Sequence, residues 1–173
     1  MKIIAFSASN SSKSINQVLI NYLATLIENT EILKLTDYEI PIYSFDIEEN
    51  KGIPVATQEL DNKLQTTDKL IISIPEHNGN FPAFFKNHLD WLSRHNRGFL
   101  KNKKVLLVST SPGKLGGANV LNIAKNTLPH FGAEIIATYS LGSFYDIFQE
   151  DKIINEKVAE ELQELANEFV KKE

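Results

Sequence analysis

The sequence predicts a doubly wound α/β fold: a three-layer sandwich in which helices cover both faces of a five-stranded parallel sheet of order 2-1-3-4-5. Two observations carry this expectation. Residues 3–6, 70–74, 105–108 and 135–138 are short, almost continuously apolar runs, the pattern of strands covered on both faces. The stretches between them place apolar residues every three or four positions, which lines one face of a helix. Strand and helix therefore alternate, as parallel sheets with crossover helices require.

Taken in order, Met1-Lys2-Ile3-Ile4-Ala5-Phe6 reads as the first strand, because its apolar run is too short for a signal peptide or a membrane span. Ile15, Val18, Leu19, Tyr22, Leu23, Leu26 and Ile27 build the inner face of the first crossover helix. A weaker strand over 31–35, followed by the segment 41–45, completes five strands with right-handed connections. Helices are expected over 55–65, 83–93 and 118–128, the last stopped by His130-Phe131-Gly132. Ile154, Val158, Leu162, Leu165 and Phe169 mark a closing helix that packs one face on the sheet. No linker, repeat or low-complexity stretch intervenes, so residues 1–173 are expected to form one domain.

Composition excludes several function classes. The 18 basic residues are scattered among 22 acidic ones for a net charge of −4, leaving no positive stripe to neutralise a nucleic-acid backbone. With no cysteine, disulfides, thiolate catalysis and Cys-ligated metal centres are ruled out, and the cytoplasm is the expected compartment. His88, His95 and His130 show no metal-ligand spacing and are read as structural. Trp91 and the Phe84-Phe85 pair are read as core or subunit contacts.

In a sheet of this order, ligands bind beyond the carboxyl ends of the strands, which directs attention to three loops. The first, 7–16, is rich in hydroxyls and runs into a helix, so that unpaired amides, the helix dipole and Ser or Asn side chains converge to cradle one phosphate. It lacks both the G-x-G-x-x-G dinucleotide fingerprint and a Walker loop. Ser14 with Gln17 also matches a capping box, a structural role compatible with the first. The second loop, Ile74-Pro75-Glu76-His77-Asn78-Gly79-Asn80-Phe81-Pro82, is a stiff turn between prolines, with Gly79 allowing close approach to a flat ring and Asn78 placed to bond its edge. The third, 109–117, is glycine-rich. It reads either as a plain strand-to-helix connection or as a compact backbone offering N–H donors.

On these residues the chain resembles the NADPH-dependent FMN reductases, a family that includes azo-dye, quinone and chromate reductases. The family's Gly-Ser-x-Arg-x-x-Ser-x-Asn phosphate loop aligns with Ala8, Ser9, Ser11, Ser14 and Asn16. Its Pro-Glu-Tyr-Asn-Gly turn resembles Pro75-Glu76-His77-Asn78-Gly79, with Lys86-Asn87-x-x-Asp90-Trp91 after it, and its Ser-x-Ser-Pro-Gly-x-x-Gly-Gly resembles the stretch from Ser109 to Gly117. Two positions depart. Ser11 replaces the arginine, removing a charge-assisted phosphate contact that only Lys13 is near enough in sequence to replace, and His77 replaces the tyrosine beside the ring.

The resemblance implies a flavodoxin-like fold, FMN as cofactor and NADPH as co-substrate, with ping-pong transfer to a small-molecule electron acceptor such as a quinone, an azo compound or free flavin. It implies cofactor contacts at Ser9, Ser11, Ser14, Ile15, Asn16, Pro75, Glu76, His77, Asn78, Gly79, Ser109, Ser111 and Gly113. No acid/base residue and no metal is required, because the cofactor carries the chemistry. It further implies a homodimer or homotetramer built around the 83–93 helix, with Tyr145 and Phe148 expected to lean over a neighbouring site. A flavodoxin-type electron carrier and a non-catalytic flavin-binding module are the alternative readings.

Overall fold

The computed structural model describes residues 2–172; Met1 and Glu173, the two ends of the expected domain, lie outside the described residues. Five strands form one parallel sheet in the order β2-β1-β3-β4-β5: β1 (Ile3–Ser7), β2 (Thr30–Ile32), β3 (Lys69–Ser73), β4 (Lys104–Thr110) and β5 (Glu134–Leu141). This is the expected order. Each crossover carries a helix or helices: α1 (Ile15–Leu26), α2 (Phe45–Lys51) and α3 (Val55–Leu64), α4 (Ala83–His95), and α5 (Ala118–Thr127). After β5 come a single turn, α6 (Phe144–Ile147), a two-stranded hairpin of β6 (Phe148–Gln149) and β7 (Lys152–Ile153), and the closing helix α7 (Glu156–Lys171).

The continuous apolar runs are explained by burial on both faces. Ile4, Phe6, Leu70, Ile72, Val105 and Leu107 point to one side, against Leu60 and Leu64 of α3, Phe85 and Leu89 of α4, and Leu121 of α5. The alternate residues Ile3, Ala5, Ile71, Leu106 and Val108 point to the other, against Leu19 and Leu23 of α1 and Leu162 and Phe169 of α7. Period-two alternation is thus between two cores rather than between core and water. Lys69 closes one end of this packing, its Nζ donating to the Phe169 and Val170 carbonyls at the carboxyl end of α7, where the helix dipole favours a cation.

Several expectations change. β2 stops at Ile32 rather than 35, because Leu33 and Leu35 turn into the core as the chain enters a 3-10 turn, Leu35–Asp37. The segment 41–45 is no strand: it leads into α2, capped by Ser44, whose Oγ accepts the Ile47 N–H at 3.4 Å. β5 runs past 138 to Leu141, after a bulge in which Ile136 is passed over, Val105 pairing with Ile135 and Leu106 with Ala137. Phe148 does not lean over a site. It is 3% exposed, with its ring stacked on Phe144 at 4.9 Å and edge-on to Tyr22 at 5.7 Å. Trp91 belongs to the interior, its Nε1 donating to the Pro41 carbonyl at 2.8 Å.

Candidate active site

The first loop leaves β1 at Ser7, which pairs in register with Ser73 of β3. Ser9 Oγ accepts the Ser11 N–H and Ser11 Oγ accepts the Lys13 N–H, both at 3.2 Å, so both hydroxyl protons stay available to a ligand. Ser14 caps α1 with extended backbone, accepting the Gln17 N–H at 3.3 Å. Only that half of the expected capping box forms, because the Gln17 carboxamide donates to Asn21 at 2.9 Å instead. The amides of Ile15 and Asn16 open the helix with no acceptor among the described residues, as a first helical turn dictates. Residues 7–16 include no carboxylate, and Lys13 is their one cation. Hydroxyl donors, free amides and a positive helix end fit a phosphate monoester.

The Asn16 side chain differs from its expected role. It is 2% exposed, and its Nδ2 donates to the Thr110 carbonyl at 3.0 Å while its Oδ1 accepts from Ser73 Oγ at 2.8 Å and from the Thr110 N–H at 3.1 Å. With its carboxamide so engaged, Asn16 offers the rim only its backbone amide. Its side chain ties the phosphate loop to the ends of β3 and β4, from which the other two loops start.

The second loop leaves β3 through Ile74 and Pro75 and then folds tightly on itself. His77 and Asn80 exchange N–H···O bonds at 3.0 Å in both directions, and the two residues between them have left-handed backbone, Asn78 at φ 52 and Gly79 at φ 74. This is the Asn-Gly hairpin turn with positive φ at both central positions. It presents exposed Asn78 and His77 at its tip. Glu76 anchors the turn, its carboxylate accepting the Val120 N–H at 3.1 Å and the Asn119 Nδ2 at 3.3 Å. It thereby caps α5 and stands at that helix's positive end. Glu76 therefore acts between loops rather than toward open space.

The third loop is held by its glycines, for a reason the sequence did not show. A Cβ on Gly117, at φ +80, would lie 2.0 Å from Ser109 Oγ, and one on Gly116, at φ +58, would lie 2.6 Å from the backbone of Leu141 and Gly142. These glycines let the loop press against its own strand and the end of β5; they are not gaps left for a ligand. Ser109 is fully buried, donating from Oγ to the Ile74 carbonyl at 2.6 Å, so it joins the second and third loops from beneath. Ser111 and Gly113 lie on the accessible side, where Ser111 Oγ donates to the Gly113 carbonyl at 3.1 Å.

The thirteen positions singled out in the sequence therefore fall on one rim, and they divide. Ser9, Ser11, Ser14, Pro75, His77, Asn78, Gly79, Ser111 and Gly113 face it, Ile15 offers it only a backbone amide while its side chain packs on the core, and Asn16, Glu76 and Ser109 hold the loops together from within. Ser73 and Thr110 belong to that scaffold and were missed. A polar residue closing an otherwise apolar strand is the signal that marks them.

Known proteins share both sequence and fold with this chain. A family model described as NADPH-dependent FMN reductase matches residues 1–146. An uncharacterised protein of Mycoplasma pneumoniae is 31% identical over 145 residues, covering 81% of this chain and 86% of its own. A quinone reductase of Escherichia coli is 36% identical over 80 residues, covering 46% of this chain and 43% of its own, so less than half of that enzyme is matched. Among solved structures, FerB, a flavoenzyme NAD(P)H:(acceptor) oxidoreductase from Paracoccus denitrificans, superposes with a TM-score of 0.80 at 26% identity, over 98% of this chain and 96% of that one. The chain belongs to the NADPH-dependent FMN reductase family, as an NAD(P)H-dependent flavin oxidoreductase with FMN as its flavin.

Proposed function

We propose that the rim formed by the three loops holds FMN and that the protein passes reducing equivalents from NADPH to a small acceptor, a quinone, an azo compound or free flavin. The observation that carries this reading is the Asn16 clasp. One side chain on the phosphate-donor loop also fixes the ends of both strands from which the ring-side turns emerge. The match to a quinone reductase supports a quinone among the acceptors.

When bound, FMN supplies the two-electron relay between nicotinamide and acceptor. The chain's own groups bind and orient it. Hydroxyls of Ser9, Ser11 and Ser14 and amides of Ile15 and Asn16 would donate to the phosphate. The turn from Pro75 to Gly79, steadied by Glu76, would flank the ring, and the Gly113 amide, with no acceptor among the described residues, would offer a donor to the ring's polar edge. No side chain of the site is needed as acid or base.

The proposal extends to one domain over residues 1–173, working in the cytoplasm, where NADPH is supplied, as a homodimer or homotetramer. Ile42, 83% exposed, and Phe45, 61% exposed, lie in the crossover that packs on α4 and give a second copy an apolar surface to cover. The test is anaerobic mixing of FMN-loaded protein, after gel filtration, with NADPH. The flavin band should remain with the protein and bleach within seconds. Colour that persists would instead mark an electron carrier or a non-catalytic flavin module, and failure to retain FMN would mark the flavin as a diffusible substrate.

A further inference from the structure

Beyond the second loop, α4 starts at Ala83 and binds its first turns to the crossover that follows β2. Between them lies a pocket of about 620 Å3, walled by Tyr38, Ile40 and Pro41 on one side and by Phe84, Asn87 and His88 on the other. None of the thirteen rim positions lines it. His88 is only 2% exposed, with the Phe84 ring edge-on at 4.5 Å, and both of its ring nitrogens face carbonyl oxygens. Nδ1 lies 2.9 Å from that of Phe84 and Nε2 lies 3.2 Å from that of Tyr38. A carbonyl only accepts, and a neutral imidazole has one N–H, its other nitrogen being an acceptor. One proton cannot serve both contacts. Burial holds the His88 pKa below its ordinary value, so the ring does not take up a second proton near neutrality.

The proton belongs on Nδ1, where the contact is shorter. The Nε2 lone pair and the Tyr38 carbonyl, which takes no other bond among the described residues, then face each other as two acceptors without a hydrogen. The rest of the wall does not supply one. Asn87 Nδ2 is spent on the Ile40 and Pro41 carbonyls at 3.4 and 3.0 Å, Glu39 brings a carboxylate, and no lysine or arginine lines the pocket. We propose that this pocket binds a flat aromatic ring carrying an O–H or N–H donor, whose hydrogen serves His88 Nε2 and the Tyr38 carbonyl while Tyr38 and Phe84 flank the ring. A donor atom about 3 Å from each would satisfy two acceptors placed 3.2 Å apart. The class includes the products of the reaction proposed above, and this part of the inference rests on that reading. Reduction turns quinone carbonyls into hydroxyls and an azo link into amines, each electron taken up with a proton, whereas the oxidised groups present lone pairs only. The pocket therefore favours product over acceptor.

Calorimetric titration of the FMN-loaded protein with 2-naphthylamine, 2-naphthol and 2-methylnaphthalene, three probes of nearly equal shape, tests the assignment. The amine and the naphthol should each bind about tenfold more tightly than the methyl compound, which leaves both acceptors unpaired. His88→Phe, an aromatic ring without the lone pair, should erase most of that preference. Because this variant also gives up the bonds to Phe84 and Tyr38, nitrogen NMR of the parent supplies an independent reading. The proton should reside on Nδ1, and the Nε2 resonance should shift on saturation with the amine but not with the methyl compound. Equal affinity for the three probes, a preference kept by His88→Phe, a proton resident on Nε2 or an Nε2 resonance unmoved by the amine overturns the proposal. Loss of FMN on gel filtration would instead remove the flavin reading. The flavin-free chain should still rank the probes in the same order, because the pocket and the rim share no residue.

Discussion

Asn16 clasps the backbone of Thr110 from both sides, donating to its carbonyl at 3.0 Å and accepting from its amide at 3.1 Å. The two residues lie 94 positions apart, and their union sets the spacing between the phosphate loop and the third loop. Replacing Asn16 with leucine keeps the volume but leaves the Thr110 N–H and C=O and the Ser73 hydroxyl buried without partners. Such losses amount to about 2–4 kcal/mol, or a fall in Tm of roughly 5–15 °C. Thermal unfolding with and without FMN should show that fall, together with flavin binding weakened by at least about tenfold as the loops separate.

Ser14 allows folding and binding to be separated. Aspartate is as good a helix cap as serine, so Ser14→Asp should keep the bond to the Gln17 amide and hold Tm within about 3 °C of the parent. In the proposed site its charge would face the flavin phosphate, and FMN affinity should fall by about a hundredfold or more. Ser11→Arg should act oppositely, adding a charge-assisted contact and tightening FMN by about tenfold. Quenching of flavin fluorescence on titration measures both. Unchanged affinity in Ser14→Asp contradicts the phosphate assignment.

Gly117 and Gly79 share left-handed backbone but differ in surroundings. An alanine Cβ at 117 would overlap Ser109 Oγ at 2.0 Å, whereas at 79 nothing lies within 4 Å. Gly117→Ala should cost about 3 kcal/mol or more, combining backbone strain with overpacking. Gly79→Ala should cost only about 1–2 kcal/mol of strain. Urea midpoints of the two variants should therefore separate clearly, and equal midpoints would sink the packing account.

His88 gives the fold a pH dependence. Burial lowers its pKa below the ordinary 6.5, although the Phe84 and Tyr38 carbonyls, 2.9 and 3.2 Å from its two ring nitrogens, partly oppose this. Above pH 6.5 folded and unfolded chains both carry the neutral ring, so nothing is lost. As pH falls below that value, the unfolded chain takes up a proton that the folded one resists, and stability declines until the folded value is passed. Urea midpoints taken at falling pH should drop in the parent across this window, and the drop should be smaller in His88→Gln.

The strands and most helices could be read directly because their signal is local. Ile3, Ile71 and Leu106 announce burial through their own chemistry and that of their neighbours, and period alone separates them from the amphipathic faces of α1 and α7. The turn at Asn78-Gly79 is equally local, since few residue pairs tolerate two consecutive positive φ values. Local signals failed where a short element depends on what it packs against, as with α2, the β6–β7 hairpin and the burial of Phe148 under Tyr22 and Phe144.

The chain's linear order thus sufficed to name the sheet, the three loops and the residue types that suit a phosphate and a flat ring. It did not say which of those residues face outward. Asn16, Glu76 and Ser109 have the same donors and acceptors as their neighbours, but partners brought from Thr110, Val120 and Ile74 turn them inward. A polar side chain takes whichever acceptor lies in reach once it leaves water, and that acceptor is set by strands folded beside it rather than by residues next to it in sequence.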